Sequence, residues 1–256
     1  MKDPTAIIDA KALLEEDVVV GPYAVIGPDV EIDSGTTIGP HSVIRGPTRI
    51  GKNNKIFQFS SIGEVPQDKK YAGEVTRLEI GDRNVIREYC TMHRGTVQDH
   101  SVTRVGSDSL FMAYTHVAHD CVIGNHVIMA NGASLAGHVH MEDHAILGGF
   151  TLVHQFTKIG TYSFSAMGSV ISRDVPPYVM VGGRPSKAYG INNVGLERSG
   201  FSAESIRDIR MAYKTLYKSG LKMDEAIQTL KEMAQDKSII CPLIDFLERS
   251  ERGILR

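Results

Sequence analysis

Seven of the ten histidines in this 256-residue chain, His116, His119, His126, His138, His140, His144 and His154, crowd into one stretch. Imidazole exchanges protons near neutral pH and is a common ligand of Zn²⁺, so this density points to proton transfer or to a metal site. Position sorts the seven further. Counting in steps of 18 residues stacks His119 below Gly137 and Gln155, Asp120 below His138, and His126 below His144. With ~4.8 Å between layers, the spacing of adjacent strands, His119, Asp120, Gly137, His138 and Gln155 form one patch. It combines imidazoles, a carboxylate, an amide and a bare backbone. His126, His140 and His144 are expected as solvated or stacked surface residues.

The step of 18 comes from a ruler of six. Val105, Phe111, Val117, Ile123, Met129, Leu135, Met141, Leu147, Val153, Ile159 and Ile171 share one six-residue frame, broken only at Ser165. An earlier run, Ile8, Leu14, Val20, Ile26, Ile32, Ile38, Ile44, Ile50, Ile56 and Ile62, holds the same frame without a miss. Six is a multiple of the strand period and not of the helical one, so these residues point to one side. Small or β-branched residues follow four places later, as at Ser109, Cys121 and Ala133, and Gly often follows directly, as at Gly106, Gly124, Gly148 and Gly160. Those glycines are expected to supply permissive backbone for the turns. Three short strands per coil then close a triangular solenoid whose interior is stacked Ile and Val.

The rhythm fails at 63–79 and again at 94–104, so two loops are expected to leave the solenoid there, in places where binding residues tend to sit. Pro176 and Pro177 are expected to end the ladder, and Gly182-Gly183-Arg184-Pro185 reads as a linker. Beyond it the period turns helical. Ser202 is a good N-cap for a helix carrying Ile206, Ile209, Tyr213 and Leu216, and further helices are expected over 224–235 and 242–252. Arg207, Arg210, Lys214 and Lys218 share another face of the first helix, either as a solvated stripe or as a dock for an acidic partner. The chain is thus expected to be an all-β solenoid over 1–180, with a linker and a small α-helical domain over 181–256.

Composition narrows the class. A net charge of −2 argues against nucleic acid as the partner. Cys90, Cys121 and Cys241 are odd in number and lack metal-ligand spacing, which suits packing roles in a reducing compartment. No apolar run at the N-terminus is long enough for export or a membrane span, so a cytoplasmic location is expected.

Several segments carry a closer likeness: IFQFSSIGEVPQDKKYAGE at 56–74, MHRGT at 92–96, HVAHDCVIGN at 116–125, LAGHV at 135–139, TLVHQF at 151–156 and DVPPYV at 174–179. Through them the chain resembles, along nearly its whole length, the acyl-ACP–UDP-N-acetylglucosamine O-acyltransferases of lipid A biosynthesis, a hexapeptide-repeat family (ACP, acyl carrier protein). The resemblance implies a left-handed parallel β-helix, a homotrimer with active sites between subunits, and no metal or cofactor beyond the phosphopantetheine arm of ACP. Carried over residue by residue, it makes His119 the general base, Asp120 the carboxylate that holds the ring, and the Gly137 N–H the oxyanion donor. Asp68, Lys70, His116, His138, His154 and Gln155 match substrate-contacting positions, and Asn192 and Arg198 match contacts on the nucleotide side. Val194 and Ser199 depart from the family pattern of Glu and Arg, which removes an acceptor and a cation from the nucleotide end. Met167 occupies the position where long-chain members resemble one another in having Gly. A bulky residue there implies a shorter acyl groove and a 3-hydroxydecanoyl donor. From His119 to Met167 the rise is roughly 13 Å at ~4.8 Å per coil.

Three rivals remain. Another hexapeptide-repeat acyltransferase is the nearest: the hexads begin at Ile8 and leave no room in this sequence for the additional N-terminal domain of the N-acyltransferase acting later in the same pathway, whereas a relative taking a 3-amino UDP-sugar stays open. A zinc lyase resembling γ-class carbonic anhydrases would use His116, His119 and His138. A purely structural solenoid would leave the loops and the histidines without a purpose.

Overall fold

The computed structural model of the chain describes all 256 residues. Short strands, many of only two residues, recur once per hexad, each with its second residue inside, as in Val25–Ile26 and Val43–Ile44. They sort into three sheets of nine, eight and ten strands, in which each strand pairs in parallel with the one three places on, except at the C-terminal end of the third sheet. The first sheet begins at Ile7–Ile8, the second at Leu13–Leu14 and the third at Val19–Val20. The result is a three-sided, left-handed parallel β-helix. Its interior is a continuous column that includes Ile26, Ile44, Ile62, Met92, Val117, Leu135 and Val153, all buried.

The register shows where the loops enter. Ile26 pairs with Ile44 and Ile44 with Ile62, 18 residues apart, but Ile62 pairs with Met92, 30 on, and Met92 with Val117, 25 on. From Val117↔Leu135 the step is 18 again. The excursions are narrower than the sequence implies. Strands Ser61–Glu64, Arg77–Ile80 and Val102–Val105 run on beside the loops, leaving 65–76 and 94–101 outside the ladder. Both loops leave the first sheet and rejoin the second, so they hang from the same corner.

The glycines have a different role from the one expected. Gly106, Gly124, Gly148 and Gly160 are absent from the positive-φ positions, which are held at the corners by Tyr23, His41, Asp120, His138 and their like at φ near +60°. What the hexad glycines permit is close stacking: a Cβ at Gly39 would lie 2.7 Å from the Gln58 N and one at Gly106 2.5 Å from the Gly124 O. Left-handed backbone is costly for residues with a side chain. Here the corner rings stack on one another, as Tyr23, His41, Phe59, Tyr89 and Tyr114 do at 4.9–5.2 Å, which offsets that strain. His126, His144 and Tyr162 form a second stack, as expected for the two histidines. Ser165, the one polar residue on the later apolar frame, is buried with its hydroxyl 2.8 Å from Thr151 Oγ1 and accepting from the Gly148 N–H.

At the C-terminal end the prolines do not end the ladder. Val179–Gly183 pairs in parallel with Phe164–Ser165 and turns through Arg184-Pro185 into an antiparallel strand, Ser186–Ile191, where a linker was expected. Pro176 and Pro177 sit in the turn before it, where no ladder donor is needed. A six-residue helix, α1 (Asn193–Arg198), also falls in the expected linker. Helix α2 (Ala203–Lys218) is capped by Ser202, which accepts from the Ser205 N–H, and α3 spans Met223–Ala234. Helix α4 (Cys241–Glu248) stops four residues short of Arg252. These helices pack their own small core around Leu216, Leu230, Ile240, Leu243 and Phe246. No helix is long and apolar enough to cross a membrane.

Candidate active site

The corner from which both loops leave is also the corner of His119, Gly137 and Gln155, three residues that follow strands of the first sheet at the same place in successive coils. The six-residue period forces this stacking. A Cβ built on Gly137 would lie 2.5 Å from Cε1 and 2.7 Å from Nε2 of His119, so the ring occupies the space that glycine leaves. The Gly137 N–H donates to no group within the chain.

Asp120 is sealed behind the ring, 1% exposed, with Oδ2 2.9 Å from His119 Nδ1. Its two oxygens also accept from the Thr96 N–H (2.8 Å) and the Thr96 hydroxyl (2.6 Å). Burial alone would raise this carboxyl, but the hydrogen bonds from His119 and from Thr96 hold it below the usual carboxylate range. An ionised carboxylate only accepts, so Nδ1–H of His119 donates to it and Nε2 is left with a lone pair.

One coil up, His138 stacks on Phe156 at 4.3 Å and meets His119 edge to face at 5.1 Å. Its Nδ1 lies 2.9 Å from Oδ2 of Asp99 and its Nε2 3.8 Å from Oδ2 of Asp120. His119 and His138 open, with Gln155, into a cavity of about 780 Å³ whose far wall is Gln67, Asp68, Lys69 and Lys70 from one loop and Gln98 and Asp99 from the other. The cavity therefore combines a base with cationic and amide side chains at its rim.

The chain brings together His119, Asp120, Gly137, His138, Gln155, Asp68 and Lys70. His116 lies beside this group. Its Nδ1 is 2.7 Å from Thr91 Oγ1 and its ring packs edge-on against the buried His93. Burial, followed by the proximity of His93 and His119, pushes its imidazole down to about 4. His154 is exposed, its Nδ1–H donating to the Gln155 carbonyl at 3.1 Å.

Three residues are elsewhere. Met167, 79% exposed, lies on the corner between the third and first sheets. The 48-residue step from His119 is two and two-thirds coils, so it crosses a face as well as climbing the axis, and axial rise alone does not measure that gap. Asn192 caps α1 and donates to the Tyr162 carbonyl at the remaining corner, with the exposed Arg198 on the same helix.

A metal is possible on geometric grounds for His119, Asp120 and His138, whose ligand atoms lie within 4.8 Å of one another; His116 is not part of that group. The hydrogen bonds to Thr96 and Asp99 already account for the closeness of the three. Thr96, Phe156 and Lys69 lie within the segments that carry the resemblance but have no role of their own there, and Asp99 lies outside those segments. Asp99 and Thr96 lie in an excursion without hexad register, so no periodicity aligns them with a coil.

Comparison with known proteins places the chain as a whole. Residues 11–46 and 103–137 match the family model "Bacterial transferase hexapeptide (six repeats)", and 174–255 match "Udp N-acetylglucosamine O-acyltransferase; Domain 2". The acyl-[acyl-carrier-protein]–UDP-N-acetylglucosamine O-acyltransferase of Thiobacillus denitrificans is 55% identical over 253 residues, spanning 99% of this chain and 98% of that one. The enzyme of the same name from Halorhodospira halophila is 56% identical over the same shares. Among solved structures, LpxA from Acinetobacter baumannii matches with a TM-score of 0.98 at 52% identity, covering 100% of this chain and 99% of that one. The Arabidopsis UDP-N-acetylglucosamine acyltransferase matches at 0.87 and 32%, covering 100% of both chains. With more than half of its residues identical to the Thiobacillus, Halorhodospira and Acinetobacter proteins over nearly its whole length, the chain belongs to the acyl-[acyl-carrier-protein]–UDP-N-acetylglucosamine O-acyltransferase family.

Proposed function

We propose that this acyltransferase moves a 3-hydroxyacyl chain from ACP to the 3-hydroxyl of UDP-N-acetylglucosamine, at the start of lipid A biosynthesis, with His119 as general base. The observation that carries the reading is the His119 ring against Gly137, backed by the buried Asp120 and open to the cavity. Nε2 takes the proton of the sugar hydroxyl as its oxygen attacks the thioester carbon. Asp120 steadies the imidazolium, and the unengaged Gly137 N–H is available to the oxyanion. Collapse of the tetrahedral intermediate expels the pantetheine thiolate, which takes the proton back from His119. Lys70 and Lys69 suit a diphosphate, and Asp68 and Gln155 suit hydroxyl and amide groups.

A homotrimer is the assembly that fits the faces. The outward column of the third sheet runs Val85, Leu110, Ile128, Ile146 and Phe164, and that of the first is apolar toward its ends, at Val25, Val43, Leu152 and Val170, with Ser61, Thr91, His116 and Ser134 between. The second sheet instead presents Glu31, Arg49, Glu79, Arg104 and Lys158. Three copies in a ring bury the first and third faces and leave the charged second one in water. That ring also brings the histidine corner of one copy, His154 included, toward another corner of its neighbour, where Asn192 and Arg198 would complete the site. The exposed Arg207, Arg210, Lys214 and Lys218 on α2 suit acidic ACP. Met167 at the end of the groove suits 3-hydroxydecanoyl over longer donors.

Incubation with UDP-N-acetylglucosamine, or its 3-amino analogue, and a panel of acyl-ACPs, followed by product mass, tests the acceptor and the donor. His119→Ala is expected to lower turnover by about 10²–10⁴-fold with the fold intact, and undiminished turnover would remove it as base. Met167→Gly is expected to admit 3-hydroxymyristoyl, and an unaltered donor preference would remove Met167 as the residue that limits chain length. The zinc-lyase reading instead requires stoichiometric zinc and inactivation by chelators; acyl transfer requires neither.

A further inference from the structure

We propose that Asp99, on the 94–101 loop, is a positioning residue for the acyl transfer, acting through His138. The proposal rests on the function proposed above.

Stacking on Phe156 at 4.3 Å and 9° fixes the plane of the His138 ring but not which way round the ring sits in that plane. Turning it by half a rotation about its bond to Cβ leaves the stack intact and exchanges nitrogens for carbons at the edges. Asp99 removes this ambiguity. Its Oδ2 lies 2.9 Å from Nδ1, and only one of the two orientations offers it an N–H. A carboxylate accepts and does not donate, so the proton sits on Nδ1 and a neutral ring turns a lone pair at Nε2 inward, beside Asp120 (3.8 Å) and His119. The other oxygen of Asp99 is 3.3 Å from Nε2 of the exposed His100, which leaves Oδ2 to His138. Asp99 is a surface residue whose side chain is 28% exposed, and the His138 end of this charge-assisted bond is the better shielded, at 11%.

The same loop places Thr96 on both oxygens of Asp120. One excursion therefore sets two His–carboxylate pairs side by side, one for proton transfer and one for holding substrate. The inward Nε2 of His138 calls for a hydrogen-bond donor, a hydroxyl or an amide N–H, carried by the sugar or by the acyl-pantetheine arm.

The test is a double-mutant cycle on the full-length enzyme, with KM measured separately for UDP-N-acetylglucosamine and acyl-ACP. Asp99→Ala is expected to lower kcat/KM roughly tenfold through KM of the substrate that His138 holds, and to have little further effect in a His138→Ala background. Asp99→Asn, which keeps a carbonyl acceptor, is expected to recover most of the loss. Equal losses in both backgrounds, or no loss in either, would overturn the proposal. A wild-type enzyme that transfers no acyl chain to this sugar would overturn the functional reading instead. The positioning claim then stands or falls on a protected His138 Nδ1 proton in ¹H–¹⁵N spectra, expected in the wild type and lost in Asp99→Ala.

Discussion

A methyl group at Gly137 would fall 2.5 Å from one atom of the His119 ring and 2.7 Å from another, closer than real Cβ contacts come. The neighbour that must give way is the imidazole, whose backing by Asp120 ties it in place. Gly137→Ala is therefore expected to cut turnover by about 10²-fold or more while leaving the melting temperature within a few degrees. Circular dichroism beside steady-state kinetics would check both. His116 makes a pH-dependent contribution. Its imidazole titrates at about 4 in the fold against 6.5 for the free side chain, chiefly because it is buried. Between those values the unfolded chain binds a proton that the folded chain refuses. Stability is therefore expected to fall as the pH drops from 6.5 towards 4. Denaturant midpoints across that window should flatten in His116→Gln, and an unchanged slope would remove His116 as the cause.

At the scale of the coil, close stacking makes a glycine costly to replace. At Gly39 all three atoms that a Cβ would meet are backbone, from 2.7 to 3.0 Å, so the coils would have to part. Gly190 has nothing within 4 Å and no left-handed backbone. Gly39→Ala is expected to lose about 1–3 kcal/mol in equilibrium unfolding, against less than about 0.5 kcal/mol for Gly190→Ala. The corners follow another rule, because their left-handed positions carry stacked rings. The two loops matter for where they leave: hung from one corner, 65–76 and 94–101 wall a single cavity.

At the scale of the molecule the three faces are unequal, and the proposed trimer rests on that inequality. Ile128 lies in the middle of the apolar column of the third sheet, between Leu110 and Ile146. If the proposed trimer forms, Ile128→Asp is expected to shift sedimentation from trimer to monomer and to lower activity in parallel, since Met167, Asn192 and Arg198 lie on corners away from His119. A monomer with full turnover would mean that one chain contains the whole site. The small core of the C-terminal helices is separate from the column of the β-helix, so this change should leave those helices folded.

The repeat carried most of this information in plain sequence. A period of six fixes which side each apolar residue faces, and adding 18 was enough to put His119 beneath Gly137, because parallel coils with unchanged register leave no freedom in that alignment. Ser202 and the helical spacing after it located α2 for the same local reason. Three things were decided only by the tertiary structure. Asp99 and Thr96 reach the histidines from a loop with no register, so their partners depend on how the loop folds back. The strands around Arg184-Pro185 form because a sheet edge was there to pair with. The hexad glycines serve contact between coils while side chains hold many of the left-handed corners, because the closeness of successive backbones, which no repeat count contains, leaves no room for a Cβ.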